Sequence, residues 1–105
     1  MNTYVAIFDH IPEQCPASSK ANLDRTMKDM SQLENIAKDL GVQVDGIHVL
    51  LPGHKGVAIV QANDYESAGQ FFQQIGLQDW NDITLYRSYP PQEALGDAAE
   101  RMASA

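Results

Sequence analysis

The stretch VQVDGIHVLLPGHKGVAIVQA, residues 42–62, decides the fold of this chain. Two runs rich in β-branched residues, Val42 to Leu51 and Gly56 to Ala62, flank Pro52-Gly53-His54-Lys55. A Pro-Gly pair between such runs predicts a tight β-hairpin. The segments on either side have helical spacing. Upstream, Leu23, Met27, Met30, Leu33, Ile36, Ala37 and Leu40 recur three and four residues apart, predicting one helix from about Ser19 to Leu40. Its length would be roughly 33 Å, enough to lie across a whole sheet with both methionines in the core. Ser18 or Ser19 suits its N-cap and Gly41 the left-handed position past its end, while Asp24–Lys28 and Glu34–Lys38 suit i,i+4 ion pairs. Downstream, Asn63 or Asp64 caps a second helix with apolar positions Tyr65, Ala68, Phe71, Phe72 and Ile75, closed by Gly76.

Two outer strands complete the pattern. Thr3 to Asp9 and Ile83 to Tyr89 are rich in β-branched and aromatic residues; Pro12 and Pro16 follow the first, and Pro90-Pro91 stop the second. A short segment, Gln92 to Met102, offers only Leu95, Ala98, Ala99 and Met102 as its apolar side, a weak last helix expected either to fray or to dock on a partner. The order β-α-β-β-α-β requires two right-handed crossovers around the hairpin. The expected fold is therefore α+β and ferredoxin-like, a four-stranded antiparallel sheet of order 4-1-3-2 with two helices on one face. One domain spans residues 1–91, and 92–105 form a C-terminal helical tail.

With 105 residues there is room for one core. Seven Lys and Arg stand against fourteen Asp and Glu, a formal charge of -7, and the basic residues are dispersed. That balance opposes phosphate backbones and anionic lipid, so neither nucleic acid nor membrane is an expected partner. No run is long and apolar enough for a membrane span, the N-terminus enters a strand pattern without a leader, and lone Cys15 has no internal disulfide partner. A cytoplasmic location is expected.

Alternation assigns the strand side chains to faces. Val5, Ile7, Ile47, Val49, Ala58, Val60, Ile83 and Leu85 are expected beneath the helices. The open face then carries Tyr4, Ala6, Phe8, His10, Gly46, His48, Leu50, Val57, Ile59, Gln61, Thr84, Tyr86 and Ser88. So apolar a face marks an interface or a ligand site. The layout, and in particular VAIVQANDYESA (57–68) and ITLYRSYP (83–90), resembles the dimeric α/β-barrel superfamily. That group includes antibiotic-biosynthesis-type monooxygenases, muconolactone-isomerase-like proteins, stress-responsive barrel proteins and small uncharacterised bacterial members. The resemblance implies a homodimer whose sheets pack open face to open face, with a pocket inside the barrel or between sheet and helices. The superfamily hosts unrelated functions, so it names no reaction.

The residues that bear chemistry lie in two places. His10, Glu13 and Cys15 share the Pro-bounded loop, and His48 sits on the expected open face, roughly 7 to 10 Å from His10. Imidazole and thiolate suit zinc, copper or iron, making His10, Cys15 and His48 the metal candidates. His54, on the hairpin, is expected at the far end. Cys15 is also a nucleophile candidate with His10 as base, against the plainer role of a small buried residue. His48 and Tyr86 are the acid–base candidates in an apolar pocket formed with Tyr4, Phe8, Ile59 and Gln61, although the aromatics equally suit sheet packing. Three functions follow: a small-molecule-binding dimeric barrel, including a cofactor-independent enzyme on an apolar or aromatic compound; a metal- or haem-binding protein using His10, Cys15 or His48; and a non-catalytic dimerisation module. The residues assign neither a cofactor nor a reaction.

Overall fold

In the computed structural model, which describes residues 1–104, the chain runs β1 (Asn2–Asp9), a 3-10 turn (Pro12–Gln14), α1 (Lys20–Ser31), α2 (Leu33–Leu40), β2 (Gln43–Leu50) and β3 (Lys55–Ala62). It continues through α3 (Tyr65–Gln74), a 3-10 turn (Leu77–Asp79), β4 (Asp82–Ser88) and α4 (Pro91–Ser104). The four strands form one antiparallel sheet, β2-β3-β1-β4, which is the expected order 4-1-3-2 read from the other edge. The tail expected over 92–105 starts one residue earlier as α4, which has no buried residue; residue 105 lies outside the described residues. No described helix is long and apolar enough to cross a membrane.

Directly paired residues share a face, so the register shows where each side chain points. Tyr4, Ala6 and Phe8 pair with Val60, Ala58 and Gly56, and all six are buried beneath the helices. β1 is thus turned over relative to the alternation expected for it: Val5 and Ile7 face the open side, while Tyr4, Ala6 and Phe8 face the core. The reason is volume. The helix side of β3 offers only Gly56, Ala58, Val60 and Ala62, so close packing requires large side chains from its neighbour, and Tyr4 and Phe8 supply them. Phe71, Phe72 and Ile75 of the α3 segment close the core from above. The faces assigned to β2, β3 and β4 hold, with a bulge between Val44 and Gly46, but Val49, expected beneath the helices, is 73% exposed because no helix covers that end of β2.

The long first helix is divided. α1 ends at Ser31, whose hydroxyl donates back to the Lys28 carbonyl at 2.6 Å, and Gln32 takes a φ of -98° and ψ of -4° before α2 begins. Such back-bonding competes with the helical ladder and favours a bend. α2 packs Leu33, Ile36, Ala37 and Leu40 on the core, whereas α1 buries nothing and leaves Met27 64% exposed. The expectation of one continuous helix with Met27 and Met30 in the core is corrected accordingly. Ser19 caps α1 by accepting from the Asn22 amide, and Asp64 caps α3 by accepting from Ser67. The Ser67 backbone hydrogen bond, then its side-chain bond, holds the Asp64 carboxyl below its ordinary value. Asp24 pairs with Lys20 at 2.6 Å, the one ion pair among the described residues, in place of the expected pairs with Lys28 and between Glu34 and Lys38. Exposed pairs of this kind are too weak to dictate which neighbour is chosen.

Gly56 is required by space. A Cβ there would overlap the Phe8 ring and lie 3.0 Å from the His48 carbonyl oxygen. Gly56→Val should therefore cost about 1 to 3 kcal/mol in urea denaturation. Gly69→Ala on α3, where a Cβ meets nothing within 4 Å, should instead gain about 0.4 to 1 kcal/mol. Equal effects at the two positions would contradict the packing described.

Candidate ligand and metal site

The chemistry-bearing side chains gather where β1 ends. Antiparallel pairing puts Asp9 opposite Lys55, so the hairpin that precedes β3 meets the loop that follows β1. The His10 amide donates to the His54 carbonyl at 3.0 Å, and the two imidazoles meet edge to face with centroids 5.3 Å apart. His54 is therefore beside His10, and the expectation that it lies at the far end is corrected. His48 pairs with Val57 on the open face, three residues along the sheet from His10 and His54 and on the other side of it, so it does not join His10.

The loop holds Cys15 through its backbone. The Cys15 amide donates to the Pro12 carbonyl at 3.2 Å, and the Cys15 carbonyl accepts from the Ser18 amide at 2.9 Å and hydroxyl at 2.7 Å. Asn22 of α1 ties the same loop through Glu13 O and Ser18 Oγ, both at 2.8 Å. Arg25 completes the fastening: its guanidinium donates twice to Gln14 at 3.0 Å and lies 4.8 Å from the centre of the Trp80 ring. Trp80 then meets His10 at 5.0 Å. One packed column runs from α1 through Trp80 to His10.

Asn81 sets the state of that histidine. Its side-chain amide donates to the Leu77 carbonyl at 3.0 Å, which turns Oδ1 toward His10 Nδ1 at 2.9 Å. A carbonyl oxygen can only accept, so in the neutral ring Nδ1 carries the proton and Nε2 keeps its lone pair. Nε2 is buried and has no hydrogen-bond partner. Asn81 is itself buried.

These groups border a cavity of about 480 Å³ between the hairpin, the β1 loop and α1. Phe8, Met30, Ile47, Val49, Leu77 and Trp80 make most of its wall apolar, and His10, Cys15, His54 and Lys55 supply the polar groups. A ring nitrogen of each histidine and the Cys15 sulfur lie within 4.8 Å of one another.

The predicted pocket residues are distributed differently. Phe8 lines this cavity, while Tyr4 is buried in the core against Tyr65, with ring centroids 6.0 Å apart. His48, Ile59, Gln61 and Tyr86 share the open face, but His48 and Tyr86 lie on opposite edge strands, separated by roughly 14 Å of sheet width. Within one chain they form no acid–base pair. Gln61 bonds Thr3 at 2.9 Å and Asp45 at 2.8 Å, so it serves a polar strip at one end of the sheet. Glu13 accepts from Asn22 through its carbonyl oxygen, not its carboxylate. Sequence reasoning missed His54, Asn81 and Trp80; the antiparallel register alone was enough to find the first.

No family model matches this chain, and no curated protein matches it in sequence. Among solved structures, it is similar to the C-terminal domain of the MgtC protein from Mycobacterium tuberculosis, with 10% identity, TM-score 0.55 and coverage of 84% of this chain and 88% of that one. The designed protein Ferredog-Diesel matches at 10% identity and TM-score 0.52, covering 83% and 85%. The 30S ribosomal protein S6 from Thermotoga maritima matches at 13% identity and TM-score 0.50, covering 99% and 98%. At these identities the likeness shows the fold alone, and that fold is ferredoxin-like.

Asn81→Ala should lower stability by about 1 to 3 kcal/mol in urea denaturation, because it strips the partner from His10 Nδ1, while the Leu77 carbonyl keeps its backbone donors. A loss below about 0.5 kcal/mol would mean that Asn81 does not hold His10 in place.

Proposed function

We propose that this chain is a small-molecule-binding domain that works as a homodimer, with its ligand in the cavity at the end of β1. The observation that carries this reading is the wall itself: an apolar chamber of about 480 Å³ with a single unpartnered buried nitrogen, His10 Nε2, on its lining residues. Ligand pockets have this composition, with apolar contact for affinity and a few placed polar atoms for orientation. An apolar or aromatic compound bearing one hydrogen-bond donor matches it. Exclusion from water is what an apolar guest gains there, and a donor group on the guest that reaches the buried Nε2 would give it the partner it lacks.

A second copy is assigned to the open face. Val5, Ile7, Val57, Ile59, Leu50 and Tyr86 share it, with Ile7, Leu50 and Tyr86 exposed. Four strands of seven or eight residues present roughly 500 Å² per chain, or about 1,000 Å² for a pair, at the threshold for a specific interface. The exposed Leu95 and Met102 of α4 offer further apolar surface toward a stable dimer. The strip Thr3–Gln61–Asp45–Gln43 bounds the patch with satisfied polar groups at one end, as interface rims do.

Two measurements test these assignments. Trp80 is the sole tryptophan and lines the cavity, so energy transfer from it reports on a bound chromophore. N-phenyl-1-naphthylamine should bind saturably with transfer from Trp80, and Thr26→Phe, which fills the α1 side of the cavity, should weaken it by about tenfold or more. Undiminished binding by that variant would move the ligand elsewhere. For the dimer, native mass spectrometry of untagged protein should give two chains, and Ile59→Glu, at the centre of the open face, should give one. A monomeric parent chain would remove the dimer.

A further inference from the structure

We propose that His10, Cys15 and His54 form a three-ligand zinc(II) site in the wall of the cavity, leaving its fourth position open to a ligand. This goes beyond the pocket reading and shares one atom with it, His10 Nε2, which would bind the ion in place of a donor group on the guest. Three borderline-soft donors, two imidazole nitrogens and one sulfur, lie within 4.8 Å of one another, and this is the only such group of His, Cys, Asp and Glu among the described residues. Zinc binds imidazole at about 2.0 to 2.1 Å and thiolate at about 2.3 Å, so tetrahedral ligands stand roughly 3.3 to 3.6 Å apart. Closing the remaining distance asks for a small adjustment, and His54 is placed to make it. It stands exposed on the hairpin turn, while His10 and Cys15 are anchored by the loop.

Three features favour an ion over a chance meeting of side chains. First, a ligating histidine ordinarily donates its second ring nitrogen to a protein oxygen, which fixes the tautomer and aims the ring. His10 has that arrangement, with Nδ1 on Asn81 Oδ1 at 2.9 Å and Asn81 in turn held by Leu77. Second, the nitrogen left to coordinate, Nε2, is buried with no partner, a costly state that an ion relieves. Third, sites with three protein ligands and an open position face a cavity, and these three residues line one. On binding, zinc replaces the Cys15 thiol proton, which leaves to solvent, and the site gains charge stabilisation without any redox change.

The ligand class follows. A zinc ion bordering apolar walls would take a small organic molecule with one anionic or strongly donating head, such as a carboxylate or thiolate, on an apolar body.

The test uses untagged protein, purified without a metal-affinity column and kept reduced. Zinc chloride, titrated against a chromophoric zinc indicator, should bind at one ion per chain. Cobalt(II) in its place should give the intense visible bands of a tetrahedral site together with a near-ultraviolet thiolate-to-cobalt charge-transfer band. Cys15→Ser and His54→Ala should each weaken zinc binding by about 100-fold or more, while His48→Ala, on the opposite face, should leave it unchanged. Failure of the folded parent chain to bind zinc, an octahedral cobalt spectrum, or zinc affinity unaltered in both variants would overturn the site. If a variant fails to fold by circular dichroism, the cobalt spectrum of the parent chain still decides. Naphthylamine binding, read on the same samples, keeps the two ideas apart. Probe binding without zinc sinks the metal site alone, and zinc binding without the probe sinks the apolar-ligand reading alone.

Discussion

The pairing of β1 with β3 is the constraint on which the rest of this molecule depends. It runs without interruption from Asn2 opposite Ala62 to Asp9 opposite Lys55, and it settles two things together. Along the strands it brings the hairpin to the end of β1, so that His54 reaches the loop carrying His10 and Cys15. Across the strands it decides which side chains lie under the helices. A slip of one residue would send Tyr4 and Phe8 to the open side and leave the small residues of β3 facing nothing. The cavity and the core are consequences of one register.

That register explains what was legible in the sequence and what was not. Strand order, hairpin and both crossovers could be read because each has a local cause: Pro-Gly at residues 52 and 53, helical spacing after Ser19 and Asp64, and proline stops after residues 9 and 89. The face of β1 could not be read from β1. Tyr-Val-Ala-Ile-Phe is apolar throughout and has no period of two to follow. Its orientation is determined by its neighbour, since Gly56 leaves a space that the Phe8 ring fills. Reversing β1 leaves the open face apolar, because Val5 and Ile7 take the places of Tyr4, Ala6 and Phe8.

Helix α1 shows how a local departure from regularity opens a site. A straight helix of the expected length would have pressed Met27 and Met30 onto the sheet and filled the space now bordered by Thr26 and Met30. The bend at Gln32 keeps α2 on the core and lets α1 stand away from it, held instead by polar ties through Asn22 and Arg25 to the β1 loop. Its methionines are spaced as core residues, yet one is mostly solvent-exposed and the other lines a chamber. Helical spacing reports which side chains share a stripe; it does not report what the stripe meets.

The same distinction applies to the site. His10 and Cys15 drew attention as titratable residues on a rigid loop, and that signal was local. Joining them to His54 is a long-range result of strand pairing, and choosing which nitrogen of His10 is left without a partner is longer-range still. It depends on Asn81, seventy-one residues away, and on Leu77 holding the Asn81 amide. A buried asparagine with one end satisfied by a backbone carbonyl and the other by an imidazole fixes a tautomer as well as a position. Packing alone would favour an apolar residue there, because each buried polar group must first recover the hydration it loses. The pairing has one consequence for the ring: its far nitrogen, Nε2, is left buried without a partner, on a residue that lines the cavity.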